Sequence, residues 1–253
     1  MKPDIVIESK GQGIYEDRAS SLQTVMSVIK KNSSKYFYLR IINNSEQEYT
    51  FVLDILFESK PENWEIIYYL SDKQTPDSAE EISPEDYELT IDAESEKRIV
   101  IKITSPFSAE NGAVCFTEFS AYQKGSKTER DAVKAICGTP LSLVTDVLKE
   151  VEMFAKAETF FPTTATYGYS EAFEEMINQE SDWVYQTCLG DLNGIKFDKY
   201  ETAKNLIVYK VISRMLRKAA IYMVGGEALF LRAQENYEKE IRRLEMMLFS
   251  RYQ

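Results

Sequence analysis

The chain has 253 residues, 44% of them apolar, and carries a formal charge of −11 with a pI near 4.8. That length holds two domains of ordinary size, and 16 tyrosines, 13 phenylalanines and 2 tryptophans can fill two cores, which excludes disorder as the default. The acidic balance opposes contact of the whole molecule with nucleic acid or anionic membrane, and no run approaches 18 apolar residues.

In chain order, residues 4–8 (Asp-Ile-Val-Ile-Glu) predict a first strand, punctuated by Gly11 and Gly13. Thr24–Ile29 and Tyr36–Asn43 follow, with Asn32-Ser33-Ser34 as the turn between them. Asn43-Asn44-Ser45-Glu46 turns the chain into Tyr49–Phe57, where Tyr49, Phe51, Leu53 and Ile55 share a face. Pro61-Glu62-Asn63 leads to Trp64–Leu70. The polar stretch Ser71–Asp86, with Pro76 and Pro84, reads as a loop or a protected edge. Tyr87–Ile91, Arg98–Thr104, Cys115–Tyr122 and Ala132–Cys137 complete eight or nine short strands. That density suggests a β-sandwich.

At Gly138-Thr139-Pro140 the hydrophobic period changes from two to about 3.6, the change from half-buried strands to amphipathic helices. Leu141, Val144, Leu148, Val151 and Phe154 or Ala155 form one helical stripe, and Thr159–Tyr169 is an aromatic loop or platform. Ser170 caps a helix carrying Phe173, Ile177, Val184 and Cys188, which Gly190–Gly194 breaks. Asp198-Lys199-Tyr200-Glu201 has capping-box spacing and opens a helix through Val224. Its apolar residues (Leu206, Ile207, Val211, Ile212, Met215, Leu216 among them) run almost all round, as in a helix buried on several sides. Gly225-Gly226 precedes a last helix with Leu229, Ala233, Tyr237, Ile241, Leu244, Leu248 and Tyr252 on one stripe.

Charge divides unevenly within this second half. Leu141–Ala203 holds 12 acidic and 4 basic residues, whereas Lys204–Gln253 holds 5 acidic and 10 basic. The basic surplus reads as a solvated helix face, or as contact with an acidic neighbour, protein or DNA.

Little in the residue list serves chemistry. There is no histidine, which removes the usual general base, the Ser-His-Asp and Cys-His arrangements and imidazole zinc sites. Neither Gly-rich phosphate-binding motif occurs. Cys115, Cys137 and Cys188 lack Cys-x-x-Cys spacing and read as small buried thiols, a Cys115–Cys137 disulfide being the alternative. Carboxylate catalysis by Glu171, Glu174 or Glu175 remains open, although acids at a helix start favour the dipole in any case. Trp64, Tyr68 and Tyr69 are candidates to stack on a sugar, with a core role for Trp64 as the competing reading. Phe160, Phe161 and Tyr167 have no helical period and either cover a junction or anchor a partner. No signal peptide is expected from Met1-Lys2-Pro3-Asp4-Ile5.

Ile41-Ile42-Asn43-Asn44, Tyr49–Leu53, Pro61-Glu62-Asn63-Trp64 and Asp92–Ile103 together resemble a bacterial and archaeal family of immunoglobulin-like domains found beside glycosidases and on cell surfaces. The family's usual Pro-Gly turn is replaced by Asp92-Ala93-Glu94-Ser95. Tyr209–Tyr222, Gly225-Gly226 and Ala228–Tyr252, with Tyr237–Leu244 as a charged, Tyr-punctuated repeat, resemble the core of tailed-phage head–tail connector (adaptor) proteins. That resemblance implies helices packed side by side in a ring between portal and tail.

The sequence therefore predicts an α+β chain of two modules. An immunoglobulin-like β-sandwich spans 1–138 and a helical bundle of connector type spans 141–253. The expected function is a non-enzymatic structural subunit of a virion, assembled in the host cytoplasm and without cofactor, metal or small-molecule substrate. Its expected partners are copies of itself, portal and tail or other connector proteins, and neighbouring DNA. Phe160, Phe161, Tyr167, Leu229, Phe230 and Phe249 are the expected interaction residues. The alternative is a non-enzymatic adhesive or carbohydrate-binding protein.

Overall fold

The computed structural model describes residues 2–8, 23–71, 80–152, 169–188, 199–222 and 227–249, with backbone alone for 152, 169–170, 218–222 and 227–230. The chain divides into two compact units, Met1–Thr139 and Pro140–Gln253, beside the Gly138-Thr139-Pro140 punctuation.

Among the described residues of the first unit there are ten strands: β1 (Asp4–Glu8), β2 (Gln23–Val28), β3 (Ser33–Asn43), β4 (Tyr49–Ser59), β5 (Glu65–Ser71), β6 (Glu80–Ile82), β7 (Glu88–Ile91), β8 (Ser95–Ser105), β9 (Val114–Gln123) and β10 (Arg130–Gly138). They form two five-stranded sheets, ordered β1-β3-β8-β5-β6 and β2-β10-β9-β4-β7. The β2–β10 pair is parallel and the other pairs are antiparallel.

Alternation explains why these sheets pack face to face. On β3, Phe37, Leu39 and Ile41 point one way, opposite Ile101 and Ile99 of β8 in the same sheet. They meet Phe51 and Leu53 of β4, Phe119 and Ala121 of β9, and Val133 and Ala135 of β10 in one buried core. Each large apolar side chain buried this way contributes roughly 1.5–3 kcal/mol before the entropy of ordering is subtracted. The outer edges opposite β1 and β2 are the short strands β6 and β7, so little bare backbone is offered for pairing with another chain. Among the described residues of the polar stretch Ser71–Asp86, Glu80–Ile82 forms a three-residue edge strand.

Local turn chemistry shifts several expected boundaries. Ser33 and Ser34 belong to β3, not to a turn, and Ser34 Oγ lies 2.9 Å from Thr104 Oγ1 on β8. The reversal is made by Asn32 at φ 54°, a left-handed position that Asn tolerates. Likewise β8 begins at Ser95 rather than Arg98, because Glu94 at φ 51° completes the turn. Cys115 and Cys137 stand directly opposite on β9 and β10 as free, buried thiols. Burial pushes the Cys115 thiol up to about 12, so at neutral pH it is a packing residue and not a nucleophile.

The second unit contains α1 (Val144–Glu152), α2 (Tyr169–Thr187), α3 (Tyr200–Tyr222) and α4 (Glu227–Phe249). Asp146, in the first turn of α1, accepts the Leu143 N–H and bonds Lys204 of α3 at 3.1 Å. Leu141 N–H donates to Ser181 Oγ of α2, which fixes the chain just before α1. The third helix packs against each of the other three. Its Leu206, Ile207, Val208, Val211, Ile212, Met215 and Leu216 are all buried. Of the sequence signals at helix starts, Ser170 falls inside the first turn of α2, and Asp198 lies outside the described residues.

Candidate functional site: two outward faces

The face that α4 turns away from α3 follows from its spacing. Gln234, Tyr237, Leu244 and Leu248 are buried and Ile241 half-buried, separated by alternating steps of three and four residues. That inward stripe is fully used on its neighbours. Lys199, just before α3, donates through Nζ to the carbonyl oxygens of Met247 and Leu248, so the two long helices run antiparallel. A cation at that point also meets the negative end of the α4 dipole. Tyr209 and Tyr237 meet edge to face at 5.3 Å, and the Tyr237 hydroxyl donates to Glu150 of α1 at 3.3 Å. Burial first, then the Glu150 charge, raise the Tyr237 phenol above its ordinary value, which keeps it a donor.

Three helices meet around Lys210 of α3. Its ammonium lies 3.4 Å from the centre of the Trp183 ring, 3.0 Å from Glu245 and 3.8 Å from Glu180. Arg214 joins Glu180 at 2.8 Å and also donates to Gln179. Trp183 in turn stands edge-on to Phe249, with ring centres 5.4 Å apart. The arrangement staples α2, α3 and α4 through one half-buried cation. A cation–π contact of this kind is worth about 0.5–2 kcal/mol.

What remains outside is unusual in composition. Met246 is 66% exposed, Met247 52% and Leu231 47%, while Arg232, Glu235, Lys239 and Arg242 share the outward side with them. Arg243 and Glu240 pair with each other at 2.8 Å.

A second outward face lies on the sandwich. The sheet β1-β3-β8-β5-β6 would ordinarily show polar residues to solvent. Here the register places Glu8, Tyr38, Val100, Tyr69 and Glu81 in one row across it. The neighbouring row holds Tyr36, Lys102 and Ile67. Tyr36, Tyr38, Ile67 and Tyr69 are half-buried around a buried Val100. Beside them Arg40 and Arg98 both bond Glu96, at 3.0 and 3.2 Å. Tyr38 and Tyr69 are two strands apart, about 10 Å.

Of the residues singled out from sequence, Phe160, Phe161 and Tyr167 lie outside the described residues, as do the side chains of Leu229 and Phe230. Phe249 is half-buried and occupied by Trp183. Trp64 and Tyr68 belong to the sandwich core, the Tyr68 hydroxyl bonding Thr117 at 2.6 Å and Glu58 at 3.3 Å, so neither offers a ring to a sugar. Tyr69 alone of that trio faces outward, because it follows Tyr68 by one residue in a strand of period two. The same alternation would have found Tyr36 and Tyr38. Glu171, Glu174 and Glu175 are exposed on α2, and Glu175 accepts from Gln179. Among the described residues no three His, Cys, Asp or Glu side chains converge to hold a metal ion.

No protein-family model matches the chain, and no curated protein matches it in sequence. Among solved structures, the N-terminal domain of PorA is similar at a TM-score of 0.37 and 12% identity, over 53% of this chain and 96% of that one. A family 123 glycoside hydrolase from Clostridium perfringens aligns at a TM-score of 0.36 and 13% identity, over 70% of this chain and 36% of that one. PapD-like domain 7 of human CEP192 aligns at a TM-score of 0.28 and 8% identity, over 55% and 84%. Similarity at this level assigns no function.

Proposed function

We propose that this chain is a non-enzymatic structural subunit of a tailed-phage virion, a head–tail connector whose helical bundle packs into a ring between portal and tail. The immunoglobulin-like sandwich is then an outward decoration. The observation that carries the reading is the leftover surface of α4. Its inward stripe is filled, yet Met246, Met247 and Leu231 stay exposed on the same helix. A subunit that completes itself only beside a copy needs such a surface and needs no catalytic residues. The resemblance of Tyr209–Tyr252 to connector helices supports it from the sequence side.

The test is twofold. The protein should copurify with virions that carry portal and tail proteins, and a Met246→Glu/Met247→Glu variant should lose its oligomers with its helical content and melting unchanged. Recovery from a cell-envelope fraction, or a double variant that assembles as the unsubstituted chain does, would overturn the reading.

The tyrosine-bearing sheet face favours a second reading, an adhesive or carbohydrate-binding sandwich. Two phenol rings about 10 Å apart on a firm sheet could each stack on a sugar ring and hydrogen-bond through the hydroxyl. Screened against a glycan array, the protein should then bind, with affinity falling about tenfold or more in Tyr38→Ala and Tyr69→Ala. Equal binding by the variants, or none by the unsubstituted protein, counts against it.

A further inference from the structure

The helical unit carries a second charged stripe whose sign is opposite to that of α4. On α2, Phe173, Met176, Ile177, Val184 and Tyr185 are buried. The other side of the helix presents exposed Glu171, Glu174 and Glu175, followed by half-buried Asn178 and Asp182. Glu171, then Glu174 or Glu175, then Asn178 and Asp182 follow at steps of three or four residues and so form one continuous ridge. On α4 the outward ridge is Arg232, Glu235, Lys239, Arg242 and Met246, stepping three, four, three, four. Counting formal charges along these ridges, α2 offers four acids and no base, whereas α4 offers three bases and one acid. At 1.5 Å per residue the ridges are about 16 and 21 Å long, so one can lie along the other.

Glu171, Glu174 and Glu175 on α2 and Arg232, Lys239 and Arg242 on α4 are exposed, so the surface of a second copy can reach either ridge. Resting on the ring-assembly reading, we propose that the acidic ridge of α2 on one copy docks against the basic, Met-ended ridge of α4 on the next. The occupant of the α4 face is therefore a second copy of this chain, and the contact is head-to-tail. A head-to-tail contact leaves one free ridge at each end of a dimer, so it propagates until rotation closes it into a ring. Exposed methionines suit the position beyond the last charge, since their flexible thioethers adapt to a facing surface. The charges set register and partner choice more than raw affinity, and salt weakens them.

Two triple reversals test this with the full chain: Glu171→Lys/Glu174→Lys/Glu175→Lys on α2, and Arg232→Glu/Lys239→Glu/Arg242→Glu on α4. The substituted residues are exposed, and an unchanged melting profile for each variant establishes that it folds. Sedimentation velocity at low and high salt should find the unsubstituted chain assembling, more weakly as salt rises. Each reversed variant alone should need about tenfold or more higher concentration to assemble, because like ridges then face each other. Mixed in equal amounts, the two variants should assemble again, since reversed α2 meets reversed α4 and native α2 meets native α4. If both variants assemble at the same concentration as the unsubstituted chain, or if the mixture does not recover, the ridge pairing is wrong while self-assembly stands. If the unsubstituted chain stays monomeric at every concentration and salt, the ring reading falls with it.

Discussion

Replacing Asn43 with leucine is expected to destabilise the sandwich by about 3 kcal/mol, a large loss for a residue at a turn. Asn43 ends β3 and is fully buried. The two N–H groups of its amide are shared among the carbonyls of Gln47 (2.8 Å), Ile91 (3.0 Å) and Asp92 (3.0 Å), and its side-chain oxygen accepts from Ser45 N–H and Ser45 Oγ. One side chain thus ties the β3–β4 turn to the β7–β8 turn, across the two sheets. Leucine has a similar volume and removes every one of these bonds. Each buried polar group left without a partner costs about 1–3 kcal/mol, and the Ile91 carbonyl is the one that water reaches least. Ser45→Ala removes a hydroxyl that contacts Asn43 Oδ1 and the Gln47 backbone where water can take its place, and it leaves the Ser45 N–H on Asn43, so it should cost only about 1 kcal/mol. Urea unfolding of the two variants separates them. A leucine variant within 1 kcal/mol of the unsubstituted chain would mean that the turn rearranges freely and that Asn43 is no staple.

That residue also marks where sequence reading stops. Asn43-Asn44-Ser45-Glu46 is legible as a turn because Asn and Ser bond their own backbone locally. The bonds to Ile91 and Asp92 span 48 and 49 residues, and no local pattern contains them. The strands themselves were legible, since a half-buried sheet imposes period two on side chains such as Phe37, Leu39 and Ile41. Their ends were less so: Asn32 and Glu94 adopt left-handed φ that their residue types only weakly signal. The buried run of α3 was equally visible, from apolar residues on all its sides. The candidate faces were another matter. Tyr68 and Tyr69 are neighbours in sequence, and only the register with Ile101 and Val100 decides which ring enters the core. Trp183 reads as one more apolar residue until Lys210 and Phe249 arrive from two other helices.

Leu206→Ala should cost the helical unit about 3 kcal/mol and leave the sandwich untouched. Leu206 is fully buried on α3, the helix that packs against α1, α2 and α4, so no side offers water to fill the space vacated. Removing its isobutyl group forfeits the transfer free energy of the lost carbons and leaves a cavity that three packed neighbours close only in part. Glu201→Ala, one to two turns earlier and exposed, should change stability by about 0.5 kcal/mol or less. The chain carries a convenient pair of reporters, because each compact unit holds one of its two tryptophans, Trp64 in the sandwich core and Trp183 on α2. Fluorescence of a Trp64→Phe background follows the helical unit through Trp183, and a Trp183→Phe background follows the sandwich through Trp64. In the first background Leu206→Ala should lower the unfolding midpoint, and in the second it should not, while Asn43→Leu should behave in the opposite way. Those outcomes require that the units unfold separately, as expected of modules that each bury their own core. A single transition shifted equally by both substitutions would instead show one cooperative structure, with the Gly138-Thr139-Pro140 break carrying no energetic boundary.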